Sequence, residues 1–200
     1  MNTASLLRPT RVLGPIAAAL TLTMAIATPA SANPSTVTRQ DSEVRWTAPD
    51  GEANLAWMGQ YTDQVQVVDL NGISAGPGCT ALSALDVTCG PVAGTSGLHL
   101  DAGDQDDYVG ITDLAIPAEV DGGPGRDQVE GGNGDDRLTD PDGWPALPDA
   151  PSFSGHAGDD EIISLNGGFD RIECGPGFDV VMADPDLDVT AADCELVVLP

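Results

Sequence analysis

The 200-residue sequence predicts an all-β protein whose C-terminal half is built from tandem copies of one glycine- and aspartate-rich nonapeptide. Three observations carry this. No helical spacing of apolar residues is sustained beyond residue 32, short period-two runs stand between glycine and proline turns, and nine-residue blocks recur with glycine, aspartate and an aliphatic residue at fixed places.

The elements follow in chain order. Arg8 and Arg11 precede a small-residue apolar run over 12–27, and Ala30-Ser31-Ala32 has the small-x-small form of a signal peptidase site. Residues 1–32 are therefore expected to be a cleaved secretion signal, with the mature chain starting at Asn33. The apolar run is shorter than the roughly 20 residues of a spanning helix, so secretion without membrane insertion is expected. Residues 33–54 are polar with scattered prolines and read as a loose leader. Residues 55–100 read as a small β region: Gln64-Val65-Gln66-Val67 alternates, residues 84–88 form a second short run, and Asn71-Gly72 and Gly76-Pro77-Gly78 punctuate them as turns.

Four cysteines lie beyond the signal, and an even count in an exported chain reads as two disulfides with three possible connectivities. The local pairs Cys79–Cys89 and Cys174–Cys194 are favoured. A zinc site competes poorly, because no CxxC pair exists and His99 and His156 sit far from the cysteines in sequence.

All seven basic residues are arginine, against 32 acidic ones, for a formal charge of −25. Loss of Arg8 and Arg11 with an acid-free signal makes the excess two charges larger. So much like charge on a small folded chain calls for counter-ions. It excludes nucleic acid or an anionic membrane surface as partner, since both need a basic patch. A hydrophobic content of 41%, with clear strand patterns, excludes a merely disordered acidic chain.

The repeats begin near residue 102. Gly122-Gly123-Pro124-Gly125-Arg126-Asp127-Gln128-Val129-Glu130 runs straight into Gly131-Gly132-Asn133-Gly134-Asp135-Asp136-Arg137-Leu138-Thr139. Imperfect copies fit residues 155–163, 165–173 and 174–182, and degenerate ones 102–110 and 183–191. Glycines such as Gly123, Gly125, Gly132 and Gly134 let the chain turn its carbonyl groups inward. Calcium is a hard cation that takes six to eight oxygens, which carbonyls and a carboxylate at a fixed place can supply. The aspartate at the sixth place offers that carboxylate, and the aliphatic residue at the eighth (Val129, Leu138, Ile162, Ile172, Val181) points to the core.

These blocks resemble the haemolysin-type, or RTX, calcium-binding repeat family, whose pattern is GGxGxDxUx. The resemblance covers about half of the mature chain. It implies that the first six residues of each block form a turn and the last three a strand, and that two blocks complete one coil of a right-handed parallel β-roll. Residues 101–200 would form this roll, closed by a C-terminal cap. The ligands it implies are Asp127, Asp136, Asp160, Asp170 and Asp179, with Asp107 and Asp188 in the degenerate copies. Each Ca²⁺ ion is held in that family between a turn and the turn one coil later. If the proline-rich insert 140–154 bulges out without adding a coil, the pairs are Asp127 with Asp160, Asp136 with Asp170, Asp160 with Asp179 and Asp170 with Asp188. Gln105 replaces a turn glycine in the first copy, as do His156 and Asn166 in later ones, and Asp184, Pro185 and Asp186 do so in the last.

Asp184, Asp186, Asp188, Thr190 and Glu195 also fall at ligand places of an EF-hand loop. Val189 takes the place where that loop needs glycine, so a cap pinned by Cys174–Cys194 is the preferred reading of this end. No enzyme is expected: two isolated histidines do not make a catalytic constellation, and the calcium role already uses most of the carboxylates. The expected function is a secreted calcium-binding module. A calcium-stabilised adhesin that takes a protein or glycan is the alternative, with Trp46, Trp57, Tyr61, Trp144 and Phe153 as its contact aromatics.

Overall fold

A computed structural model describes residues 33–142 and 151–199. The expected signal and Trp144 lie outside the described residues. Residues 31–200 cluster as one compact unit. The described residues contain no helix, and eighteen strands form two sheets of nine.

The N-terminal strands are β1 (Ser35–Gln40), β2 (Glu43–Thr47), β3 (Leu55–Tyr61), β4 (Gln64–Asp69), β5 (Ile73–Ala75), β6 (Thr80–Ala81) and β7 (Asp86–Pro91). They pair as antiparallel hairpins, β1 with β2 and β3 with β4, with β7 added to β4 and β6 to β7; β5 runs parallel to β1. The segment expected to be a loose leader therefore holds two strands. Val37, Val44 and Trp46 are buried and alternate with exposed neighbours, while the prolines fall outside at Pro34 and Pro49. The indole Nε1 of Trp46 donates to Ser35 Oγ at 2.9 Å, so the one polar atom of the largest core side chain is satisfied.

From β8 (Gly97–Asp101) the pattern changes. Strands β9 (Tyr108–Thr112), β10 (Ala118–Asp121), β11 (Gln128–Glu130), β12 (Arg137–Thr139), β13 (Phe153–Ser154), β14 (Glu161–Ser164), β15 (Arg171–Glu173), β16 (Val180–Ala183), β17 (Val189–Thr190) and β18 (Leu196–Val198) alternate between the sheets. Each pairs in parallel with the strand two places along. One strand of each sheet makes a rung. The hairpin strands β2 and β3 supply the first rung by pairing in parallel with β8 and β9. The sheets thus run unbroken through the boundary expected near residue 100.

Register places the buried apolar residues in two columns. Trp46, Leu100, Val120, Leu138, Ile162, Val181 and Val197 stack in one sheet, and Ala56, Val109, Val129, Phe153 and Ile172 in the other. All five eighth-place residues are fully buried. The three-residue strands β11, β12 and β15 bury only their middle side chain, worth about 1.5–3 kcal/mol each, so stability must accumulate rung by rung.

The insert does not bulge out without structure. Blocks 131–139 and 155–163 both end in strands of the same sheet, so strict alternation requires a strand of the other sheet between them. That strand is β13, seated between β11 and β15, with Phe153 in the buried column. Phe153 and Trp46 are core residues and not contact aromatics; Tyr61 is exposed. At the far end β17 and β18 form the last described rung, with no helix of an EF-hand among the described residues. Leu187, Val189, Leu196 and Val198 there are 42–53% exposed, and β17 and β18 stand at the ends of their sheets among the described residues.

Candidate metal-binding edges

The two edges where the chain crosses between sheets are built alike. Apart from the crossing that ends on Pro117 before β10, the crossings end on a polar residue just before the next strand, and these residues stack. On one edge the stack is Asn54, Asp107, Asp127, Ser152, Asp170 and Asp188; on the other it is Asp136, Asp160, Asp179 and Glu195.

Except at Asp170, whose carboxylate accepts Asn166 Nδ2–H at 2.9 Å, a carboxylate oxygen of each acid accepts a backbone N–H of the preceding rung. On the first edge, Asp107 accepts from Asn54 at 2.5 Å, Asp127 from Asp107 at 2.8 Å, and Asp188 from Asp170 at 2.9 Å. On the second, Asp136 accepts from Ala118 at 2.8 Å, Asp160 from Asp136 at 2.9 Å, Asp179 from Asp160 at 2.9 Å, and Glu195 from Asp179 at 3.0 Å. The step is 18 residues from Ala118 to Asp136 but 24 from Asp136 to Asp160, where the insert adds its length.

This register corrects two of the four expected pairs. Asp160 with Asp179 and Asp170 with Asp188 stand on neighbouring rungs. Asp127 does not face Asp160, nor Asp136 Asp170, because β13 takes up half a rung and shifts each residue to the opposite edge. Asp136 meets Asp160 instead, and Asp127 has Asp107 before it and Ser152 after it. Ser152, Asn54 and Glu195 are the stack members that the sixth-place rule passes over. A search for any polar residue directly before a short apolar strand would have found them.

Glycines permit the stacking. A Cβ on Gly125 would overlap the carbonyl oxygen of Gln105, and one on Gly123 that of Gly103. A Cβ on Gly132 or Gly134 would come less close, to 2.8 Å from the backbone of Leu114 and 2.5 Å from that of Ile116. His156 and Gln105, which replace glycine, adopt positive φ of 69° and 85°. Those two turns pay for the substitution in backbone strain.

Six of these acids are buried: Asp127, Asp170 and Asp179 are 0% exposed, and Asp107, Asp136 and Asp160 are no more than 3%; Asp188 is half-buried and Glu195 exposed. They differ in satisfaction. Asp107, Asp127, Asp160, Asp170 and Asp179 each keep one buried oxygen without a hydrogen-bond partner. Asp136 does not, since its second oxygen accepts Gly132 N–H at 2.6 Å. In Asp188 the second oxygen accepts Ser164 Oγ and Asp184 N–H.

A buried carboxylate with an unfilled oxygen resists ionisation. Burial, aided by neighbouring carboxylates, pushes Asp127 up to about 8 and Asp107 and Asp160 to about 7; burial likewise pushes Asp136 to about 6. Asp170 and Asp179 are raised for the same leading reason. A cation of hard character would replace those protons, and the donors on offer are all oxygen.

The two disulfides form as the local pairs, Cys79–Cys89 and Cys174–Cys194. They fit an oxidising, extracellular environment. Among the described residues no helix is long and apolar enough to cross a membrane. No family model, curated protein or solved structure matches the chain.

Proposed function

We propose that this is a secreted calcium-binding protein, a right-handed parallel β-roll whose turns hold Ca²⁺ along both edges. One observation carries the reading: five buried aspartates, set in the stacks along the two edges, each retain an oxygen that no protein donor fills. Two stacked edges of hard oxygen donors fit calcium and do not fit a soft-ligand metal. The −25 formal charge fits the same need for cations. Binding joins successive rungs that the short strands alone hold weakly, so the ion stabilises the fold as it binds. Extracellular calcium modules have Kd values of roughly 10⁻⁴ to 10⁻³ M, which makes the roll complete outside the cell and looser where calcium is scarce.

Native mass spectrometry of the processed chain in millimolar Ca²⁺, paired with circular dichroism before and after chelation, tests this. Several bound ions and a calcium-dependent gain of β signal or thermal stability are expected. A chain that takes up no calcium and gives the same spectrum and melting curve in chelator overturns it.

A further inference from the structure

We propose that Asp127, Asp140 and Asp142 form a further divalent-cation site, made of side-chain carboxylates, in which the non-repeat insert and not a repeat turn closes on the 122–127 turn. The inference rests on the calcium reading and adds to it a site that the nonapeptide pattern does not contain.

Asp140 and Asp142 open the insert directly after β12, and Asp127 ends the crossing one rung earlier on the same edge. One carboxylate oxygen from each of the three lies within 4.8 Å of the others. Three like charges at that spacing repel one another unless protons or a cation intervene.

A second observation is independent of the clustering. Asp127 is fully buried, its Oδ1 accepts Asp107 N–H, and its Oδ2 has no hydrogen-bond partner. The protein has therefore brought a carboxylate out of water and left half of it unfilled at the mouth of the insert. The backbone holds the outer member in place: Gly125 N–H donates to Asp142 Oδ1 at 3.0 Å. Asp142 is exposed, so water can complete the shell of an ion that wants six to eight oxygens. With three carboxylates, this site carries more ligand charge than a turn built on main-chain oxygens and one aspartate. It is accordingly the one expected to fill first in a calcium titration.

The variant Asp142→Asn tests this on the full processed chain. Its amide oxygen can keep the Gly125 hydrogen bond while one ligand charge is lost, and an exposed position puts the fold at little risk. Bound Ca²⁺ is counted by native mass spectrometry and affinities are read by calorimetric titration. Asp63→Asn, in the exposed β3–β4 turn, serves as control. One ion fewer than wild type, or one site weakened by about tenfold or more, is expected for Asp142→Asn and no change for Asp63→Asn. An unchanged count and unchanged affinities in Asp142→Asn overturn the insert site and leave the repeat-turn reading standing. A wild-type chain that binds no calcium removes both.

Discussion

At the scale of single residues, the sixth-place aspartates divide into two kinds that the sequence writes identically. Asp136 spends both oxygens on backbone donors, Ala118 N–H and Gly132 N–H. Asp160 spends one, on Asp136 N–H, and keeps Oδ2 unfilled. Substitution by asparagine separates them. In Asp136→Asn the new NH₂ group must face one of two N–H donors, which costs about 1–3 kcal/mol whether or not calcium is present. In Asp160→Asn the amide oxygen keeps the one existing bond and a buried charge is removed, so stability in chelator stays within about 1 kcal/mol of wild type. In 10 mM Ca²⁺ the same variant loses about 1–3 kcal/mol, the linkage expected from a site of roughly 10⁻⁴ to 10⁻³ M. Denaturant melts of both variants with and without calcium check this; equal losses for Asp160→Asn in the two conditions contradict its assignment as a ligand. The carboxylate was legible in the sequence at both positions. Which one is already satisfied was not, because Gly132 N–H reaches Asp136 only through the shape of that turn.

At the scale of elements, the repeat blocks were readable because each carries its turn, its acid and its buried aliphatic residue within nine places. Val129, Leu138, Ile162, Ile172 and Val181 all reach the core as that spacing requires. Strand β13 was hidden by contrast, since its two residues close a proline-rich insert and its stack member is Ser152 in place of aspartate. Only the alternation of sheets demands it. Strands β1 and β2 were hidden by scattered prolines, although Val37, Val44 and Trp46 sit at alternating positions. The last rung shows how an element can depend on a cross-link. Strands β17 and β18 are short and half-exposed, and Cys194 ties them back to Cys174, 20 residues earlier. Closing a loop of that size stabilises by about 3 kcal/mol on the chain-entropy account. Replacing both cysteines by serine is expected to cost about that much, with the loss concentrated locally. In hydrogen exchange the amides of Leu196–Val198 lose protection before those of β14, and uniform loss along the whole ladder contradicts a local role.

At the scale of the whole molecule, one excess of acid has two consequences that point the same way. The chain carries 32 acidic against 7 basic residues, and its most buried acids are held above the ordinary carboxylate range of 3.8, at about 6 for Asp136, 7 for Asp107 and Asp160, and 8 for Asp127. Burial is the leading cause at each. Between pH 4 and 8 the folded chain therefore holds protons that the unfolded chain has released. Stability consequently falls as pH rises through that window. General self-repulsion adds to the fall, because net negative charge grows over the same range. In chelator, thermal stability is expected to be higher at pH 5 than at pH 8, the reverse of a protein whose acids sit in salt bridges. On the proposed function calcium would take the place of the protons, so its stabilising effect is expected to grow with pH, and adding it near pH 7 is expected to release acid into a weakly buffered solution. Melting curves at pH 5, 6.5 and 8, with chelator and with calcium, give the comparison directly. A metal-free chain that melts at a higher temperature at pH 8 than at pH 5 would mean that the edge carboxylates are ionised and satisfied without an ion. The stacked edges would then be a structural ladder and not a string of cation sites.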